Sequence, residues 1–203
     1  MQAEDFVFFG CLVVAVILHE ISHGVVALFY GDDTAKRAGR LTLNPVPHID
    51  PLGSIILPAF AVLTGAPFIG WAKPVPVNPA KLRNPRRQML YVGLVGPFTN
   101  FALMAVAAVA ARTMSSGGGV DLRFVCVAFA VVNLFLGIFN LLPIPPLDGS
   151  SLIERFLPRS WMPTWWKIRP FGFLILFVGL FYLHIFETII TPFARALSRF
   201  INA

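Results

Sequence analysis

Residues 16–30 read VILHEISHGVVALFY, two histidines and a glutamate set inside a run of aliphatic and aromatic residues. Without those three, the stretch is an ordinary membrane helix. The whole apolar run extends from Phe6 to Tyr30, more than the roughly 20 helical residues that cross a bilayer. A charged side chain at mid-bilayer depth costs about 2.5 to 3.5 kcal/mol on insertion scales, so polar groups there have a partner or a job. His19 and His23 are four apart, which puts them one turn apart on one helix face, where they can hold a single metal ion. Glu20 adjoins His19, near enough to act on water at such a metal without being a ligand. Together they make the HExxH pattern, here HEISH.

Composition agrees with a membrane location. Of the 203 residues, 57% are hydrophobic and 13% charged, and the mean hydropathy is +0.75, outside the range of soluble domains. The chain is expected to be an all-α polytopic membrane protein, a single domain over residues 1–203 in contact with the lipid bilayer. The net charge of +6 does not point to nucleic acid as a partner, because the Lys and Arg residues flank apolar segments, as the positive-inside rule requires. Cys11 and Cys126 lie within apolar segments and suggest no disulfide framework. The first run follows Glu4 and Asp5, not a basic region, and lacks a small-residue cleavage pattern, so no removable signal peptide is expected.

Four further apolar runs follow: Ile55 to Ala66, Met89 to Ala111, Phe124 to Leu142 and Phe171 to Ile190. The first of these is short, contains Pro58 and is bounded by turn-forming stretches. About four transmembrane helices are therefore expected, with Ile55 to Ala66 as a re-entrant or surface segment. GRLTLN (39–44) and WAKPVPVN (71–78) alternate apolar and polar residues and read as short membrane-associated β-strands, the second restricted to an edge by its prolines.

Two histidines leave a catalytic zinc one protein ligand short. The outstanding candidate is Asp148, in NLLPIPPLDGSS. Prolines 143, 145 and 146 stop the preceding helix, and Gly149 allows a tight turn beside the carboxylate. Asp148 could instead cap the helix that begins at GSSLIERFL. The missing ligand of the histidine pair favours the metal reading. Asn140, just before the prolines, has two readings of equal weight: a donor to a developing oxyanion, or an amide that satisfies freed helix carbonyls. Asn100, four after Gly96, reads as a packing residue. His48 reads as a surface-loop histidine near an entrance, and His184 as structural.

HEISH, GPFTN (96–100) and NLLPIPPLDG (140–149), in that order, resemble the site-2 protease family, the intramembrane zinc metalloproteases of peptidase family M50. LTLNPVPHIDPLGSIILP followed by GWAKPVPVNP is similar to a compact prokaryotic branch of it. The resemblance implies one zinc ion per chain held by His19, His23 and Asp148, with Glu20 as the catalytic glutamate. It also implies hydrolysis of peptide bonds in or near transmembrane segments of protein substrates. The 203-residue sequence is expected to leave no room for the PDZ or CBS domains of larger members.

A metal shared by these three ligands also constrains topology. The end of the first helix and the loop after the Phe124 to Leu142 helix must lie at one membrane face, so only one full crossing can intervene between residues 31 and 121. Met89 to Ala111 has the length for it. The basic cluster Lys73, Lys81, Arg83, Arg86 and Arg87 then argues for a site in the cytoplasmic half of the plasma membrane and an amino terminus outside. Arg195 and Arg199 would be led outward, against the rule. Two rival functions are a membrane metal transporter, which should show ligands on several helices along a path, and a non-catalytic scaffold, which needs no complete HExxH and LDG set.

Overall fold

The computed structural model describes residues 2–56, 60, 63, 71–181 and 185–203. Helix α1 (Ala3–Phe29) is followed by the short α2 (Thr34–Arg37), then by the long α3 (Pro85–Arg112) and α4 (Leu122–Leu141). After α4 come α5 (Ser150–Phe156), α6 (Met162–Ile168), α7 (Gly172–Phe181) and α8 (Ile185–Asn202). Among the described residues α1, α3 and α4 are long and apolar enough to cross a membrane.

Each long helix starts where its sequence either supplies a partner for a free amide of the first turn or removes one. The Gln2 N–H donates to Asp5 Oδ2 at 2.8 Å, and Glu4 and Asp5 place negative charge against the positive end of the α1 dipole. Pro85, at the first turn of α3, gives up no needed donor. Asp121 caps α4 by accepting the Phe124 N–H at 2.7 Å.

α1 and α4 run in the same direction, because Phe8 and Phe124 near their starts meet edge to face at 5.9 Å. α3 runs the other way. Tyr91 near its start stacks on Tyr30, just past the end of α1, at 5.9 Å. The buried faces are rich in alanine, including Ala15, Ala27, Ala107, Ala108, Ala111, Ala128 and Ala130, and small side chains let membrane helices approach closely where apolar burial supplies no drive between them. Phe6, Phe9, Val106 and Val109 face outward. The end of the bundle that holds Tyr30, Tyr91 and the loop after α4 is called the site end below. Between Tyr30 and Asp121, one helix long enough to cross, α3, is described.

Three sequence expectations change or fall outside what is described. Most of Ile55 to Ala66 lies outside the described residues, as does His184. The flanks of the former meet: the Trp71 N–H donates to the Gly53 carbonyl at 3.2 Å and the Ser54 hydroxyl to the Trp71 carbonyl at 2.8 Å, so the chain leaves and returns at one point.

The expected strands are absent among the described residues. Neither 39–44 nor 71–78 joins a ladder. Pro74 and Pro76 have no N–H to offer, and the donors that remain go elsewhere. Lys73 N–H reaches the His48 carbonyl at 2.9 Å, Val75 N–H the Glu20 carboxylate at 2.7 Å and Asn78 N–H the Asp32 carboxylate at 2.6 Å. Residues 71–78 are held singly, by the Gly53 and His48 carbonyls and by the Glu20 and Asp32 carboxylates.

The expected fourth span, Phe171 to Ile190, is described as α7 and the start of α8. α7 has 10 residues, about 15 Å of helix, too short to cross by itself. α8 is amphipathic. Ile189, Ile190, Ala194, Leu197 and Ile201 pack on the end of the bundle remote from the site, against Ala107, Ala108, Ala111, Ala130 and Leu134. The helix is anchored there by Arg112, whose guanidinium donates to the Phe200 carbonyl at 3.2 Å, and by Arg123, which donates to Asn202 Oδ1 at 2.8 Å. Arg195 and Arg199 belong to this amphipathic helix.

Candidate metal centre

Helical spacing puts His19 and His23 on the buried side of α1, 6% and 8% exposed. Their Nε2 atoms lie 3.1 Å apart. The loop after α4 folds back under proline control, tied by the Gly149 N–H to the Asn140 carbonyl at 2.7 Å. It carries Asp148 Oδ2 to 3.0 Å from His19 Nε2 and 3.3 Å from His23 Nε2. These are the His/Asp residues that come together in metal-binding proximity among the described residues.

The other ring nitrogens decide what lies between the three atoms. His19 Nδ1 faces Asn100 Oδ1 at 2.6 Å, and His23 Nδ1 faces the Val92 carbonyl at 2.6 Å. Both partners accept only. The amide orientation of Asn100 is fixed in turn, because its Nδ2 donates to Asn133 Oδ1 at 2.8 Å and Asn133 Nδ2 donates to the Phe129 carbonyl at 2.8 Å. Both histidines therefore carry their proton on Nδ1. Their Nε2 lone pairs point at each other and at a carboxylate oxygen that has no hydrogen-bond donor. Three lone-pair atoms at 3.0 to 3.3 Å repel one another unless a cation sits between them. A tetrahedral zinc with bonds of about 2.0 to 2.1 Å holds neighbouring ligands roughly 3.3 Å apart. The donor set and its spacing fit zinc.

Two glycines permit this packing. A Cβ on Gly96 would lie 2.5 Å from His19 Cε1 and 2.6 Å from His23 Nε2, so α3 can pass the imidazoles only with glycine there. A Cβ on Gly24 would lie 3.0 Å from Val75 Cγ1. Gly24 is one turn along α1 from Glu20 and lets the 71–78 segment press onto the helix, where Val75 meets the Glu20 carboxylate.

Asn140 donates from Nδ2 to the Leu136 carbonyl at 3.1 Å, one turn back in α4. His48 is buried, 3% exposed, with Nε2 3.0 Å from the Thr42 carbonyl, so it is not a surface-loop side chain. Asn100 is fully buried and is more than a packing residue. Asn133 and Val92 were not singled out by the sequence at all. For Asn133 the available signal was the one that marked the histidines, a polar side chain within an apolar helix; Val92 acts through its backbone carbonyl, which no side-chain pattern marks.

The family model described as Peptidase family M50 matches residues 117–183. A Bacillus subtilis protein named "Putative zinc metalloprotease YwhC" is 36% identical over 176 residues, covering 82% of this chain and 76% of the relative. "Putative zinc metalloprotease Rip2" of Mycobacterium tuberculosis is 31% identical over 166 residues, 81% of this chain and 62% of its own length. "Zinc metalloprotease MJ0392" of Methanocaldococcus jannaschii is 24% identical over 156 residues, 76% of this chain and 35% of its own. The chain thus spans less than two thirds of the latter two relatives. No solved structure matches.

Proposed function

The chain belongs to peptidase family M50 as a zinc metalloendopeptidase of the site-2 protease type, and on that premise we propose that it hydrolyses peptide bonds within or beside the transmembrane segments of other membrane proteins. The observation that carries this reading is the convergence of His19 Nε2, His23 Nε2 and Asp148 Oδ2 at 3.0 to 3.3 Å among helices long and apolar enough to cross a membrane.

Those three atoms would hold one zinc ion per chain. When bound, zinc supplies a Lewis acid that polarises a peptide carbonyl and activates water at neutral pH. Asn100 and the Val92 carbonyl fix the imidazole tautomers so that both Nε2 atoms stay available as ligands. Glu20, the residue after His19, takes the proton from the attacking water and hands it to the leaving amine nitrogen. Its Oε2 is oriented by the Val75 N–H. Asn140 spends one N–H on Leu136 and keeps the other for the developing oxyanion. A substrate helix has its amides paired internally and must unwind before attack. The site lies in the cytoplasmic half of the plasma membrane, with the amino terminus outside.

Substitution tests the division of roles. Glu20→Gln should abolish cleavage of a single-span substrate in detergent or bilayer while the protein retains its zinc, because Glu20 is not a ligand. Asp148→Ala should lose zinc together with activity. Cleavage by the Glu20→Gln protein at the parent rate removes Glu20 from the mechanism.

A further inference from the structure

A second feature of the site end lies on the outer side of the 71–78 segment. A pocket of about 400 Å³ is lined by Ala38, Arg40, Pro47, Lys73, Pro74 and Pro76. Its apolar walls are alanine and three prolines. Its polar groups are both cations. Lys73 is exposed at the rim, whereas Arg40 is only 5% exposed.

Arg40 is unusual among the basic residues. Its Nη2 donates to the carbonyls of Lys73 and Pro74, but Nε is buried with no partner. Among the described residues no carboxylate pairs with it, whereas Arg37, Lys81 and Arg169 each have one. A buried guanidinium with no counter-charge is costly, and the N–H groups that Nη2 does not spend on the two carbonyls can donate to a carboxylate. Val75, between the two pocket prolines, is the residue whose N–H sits 2.7 Å from Glu20 Oε2. Extended chain advances about 3.3 Å per residue, so the pocket lies within about two to four residues of a peptide bond attacked beside Glu20.

We infer that this pocket binds the carboxylate side chain of an Asp or Glu in the chain being cleaved, and thereby favours substrates with an acidic residue a few positions from the scissile bond. The inference rests on the protease reading for the identity of the occupant. A lipid phosphate is the other anion at a membrane surface, but it would be met by exposed cations. Here the principal cation is buried beneath a segment that touches the catalytic glutamate.

The test is binding, which needs no turnover. The full chain carrying Glu20→Gln keeps an acceptor for the Val75 N–H, and it is placed in nanodiscs of zwitterionic phosphatidylcholine. Fluorescein-labelled peptides, identical except for one Glu or Gln moved along the sequence, are titrated by anisotropy. At one register the Glu peptide should bind about tenfold more tightly than its Gln partner. Lys73→Gln alters only an exposed side chain and should cut that preference to less than about threefold, and Arg40→Gln should abolish it. Equal binding of Glu and Gln peptides at every register overturns the inference, as does a preference that survives both variants. Loss of the preference when phosphatidylglycerol is added to the nanodisc also overturns it, and assigns the pocket to a lipid headgroup. Failure of the protease reading shows separately, as absence of zinc-dependent cleavage by the unmodified chain.

Discussion

Nδ1 of His19 lies 2.6 Å from Oδ1 of Asn100, and the two side chains are 6% and 0% exposed. The contact spans 81 residues of sequence and two helices. It fixes the proton on Nδ1 and leaves the Nε2 lone pair facing His23 and Asp148. Asn133 completes the chain by holding the Asn100 amide in the orientation that presents its oxygen to the histidine.

Removing the acceptor should weaken metal binding without removing a ligand. In Asn100→Ala the His19 Nδ1–H is buried with nothing to accept it, a penalty of about 1 to 3 kcal/mol. Zinc affinity, measured by competition with a chromophoric chelator, should fall by about 10- to 100-fold. Asn100→Asp restores an acceptor and should recover most of the loss, and Asn133→Ala, acting through Asn100, should cost less than Asn100→Ala. The visible spectrum of the cobalt-substituted protein should shift in Asn100→Ala, which a purely structural defect would not produce. Unchanged affinity and spectrum would remove the asparagine from the metal site.

The second prediction concerns Gly96. An alanine there brings a methyl group to 2.5 Å from one imidazole and 2.6 Å from the other, and close-packed helices cannot relax by an ångström at no cost. Gly96→Ala should lose at least about 100-fold in proteolytic rate through displaced ligands, along with part of its zinc. Ala105→Ser, on the same helix but remote from the imidazoles, serves as a control and should change neither. Full activity in Gly96→Ala would show that α3 does not approach the histidines as closely as described.

Much of this site was legible in the sequence, for a physical reason. His19, Glu20 and His23 declare themselves because helical spacing is local and polar groups in hydrocarbon are expensive. Asp148 does so because prolines and a glycine mark irregular backbone where an acid is otherwise unexplained. Asn100 was visible but misread, since nothing in its neighbourhood says that its partner lies 81 residues away. The strands failed for a related reason. Alternation in WAKPVPVN was real, but its N–H groups go singly to the Gly53 and His48 carbonyls and to the Glu20 and Asp32 carboxylates, distant in sequence, and not to a neighbouring strand. The apolar run 171–190 covers α7 and only the start of α8, so its composition does not show the amphipathic phase that α8 carries from Ile189 to Ile201.

Acid should release the segment that touches Glu20. Asp32 is fully buried. Burial alone would raise its pKa, but the Thr34 hydroxyl, the Asn78 N–H and the Thr34 N–H hold the carboxyl below its ordinary value. A carboxyl depressed in the folded state stabilises that state above its unfolded pKa, about 3.9, and the contribution is lost as pH falls below that value towards the folded one. Hydrogen exchange over residues 71–81 should be pH-corrected and flat from about pH 7 to 5, then lose protection below about pH 4. Asp32→Asn should be less protected at neutral pH and show a smaller acid-dependent change. Asp33, held low chiefly by Lys81, titrates in the same range at the surface, so the comparison of the two proteins isolates Asp32. Identical acid profiles would assign the release to other groups.

The last prediction concerns orientation. α3 has 28 residues, about 42 Å of helix, so the segments before and after it lie at opposite faces. Most of the lysines and arginines lie in segments joined to the site end, including Lys73, Lys81, Arg83, Arg86 and Arg87, which favours the cytoplasm for that end. The flanks of the Ile55 to Ala66 stretch meet at Gly53, Ser54 and Trp71, so residues 53 and 71 lie at one face. Single cysteines at Arg83→Cys and Ser115→Cys, both at exposed positions, with Cys11 and Cys126 replaced, can be probed with a membrane-impermeant thiol reagent. Residue 115 should react in intact cells and residue 83 only after the membrane is opened. Reaction of residue 83 alone in intact cells would invert the orientation and leave the site intact. Reaction of both in intact cells would mean that α3 does not cross, and a zinc shared by His19, His23 and Asp148 would then need a different arrangement of the remaining helices.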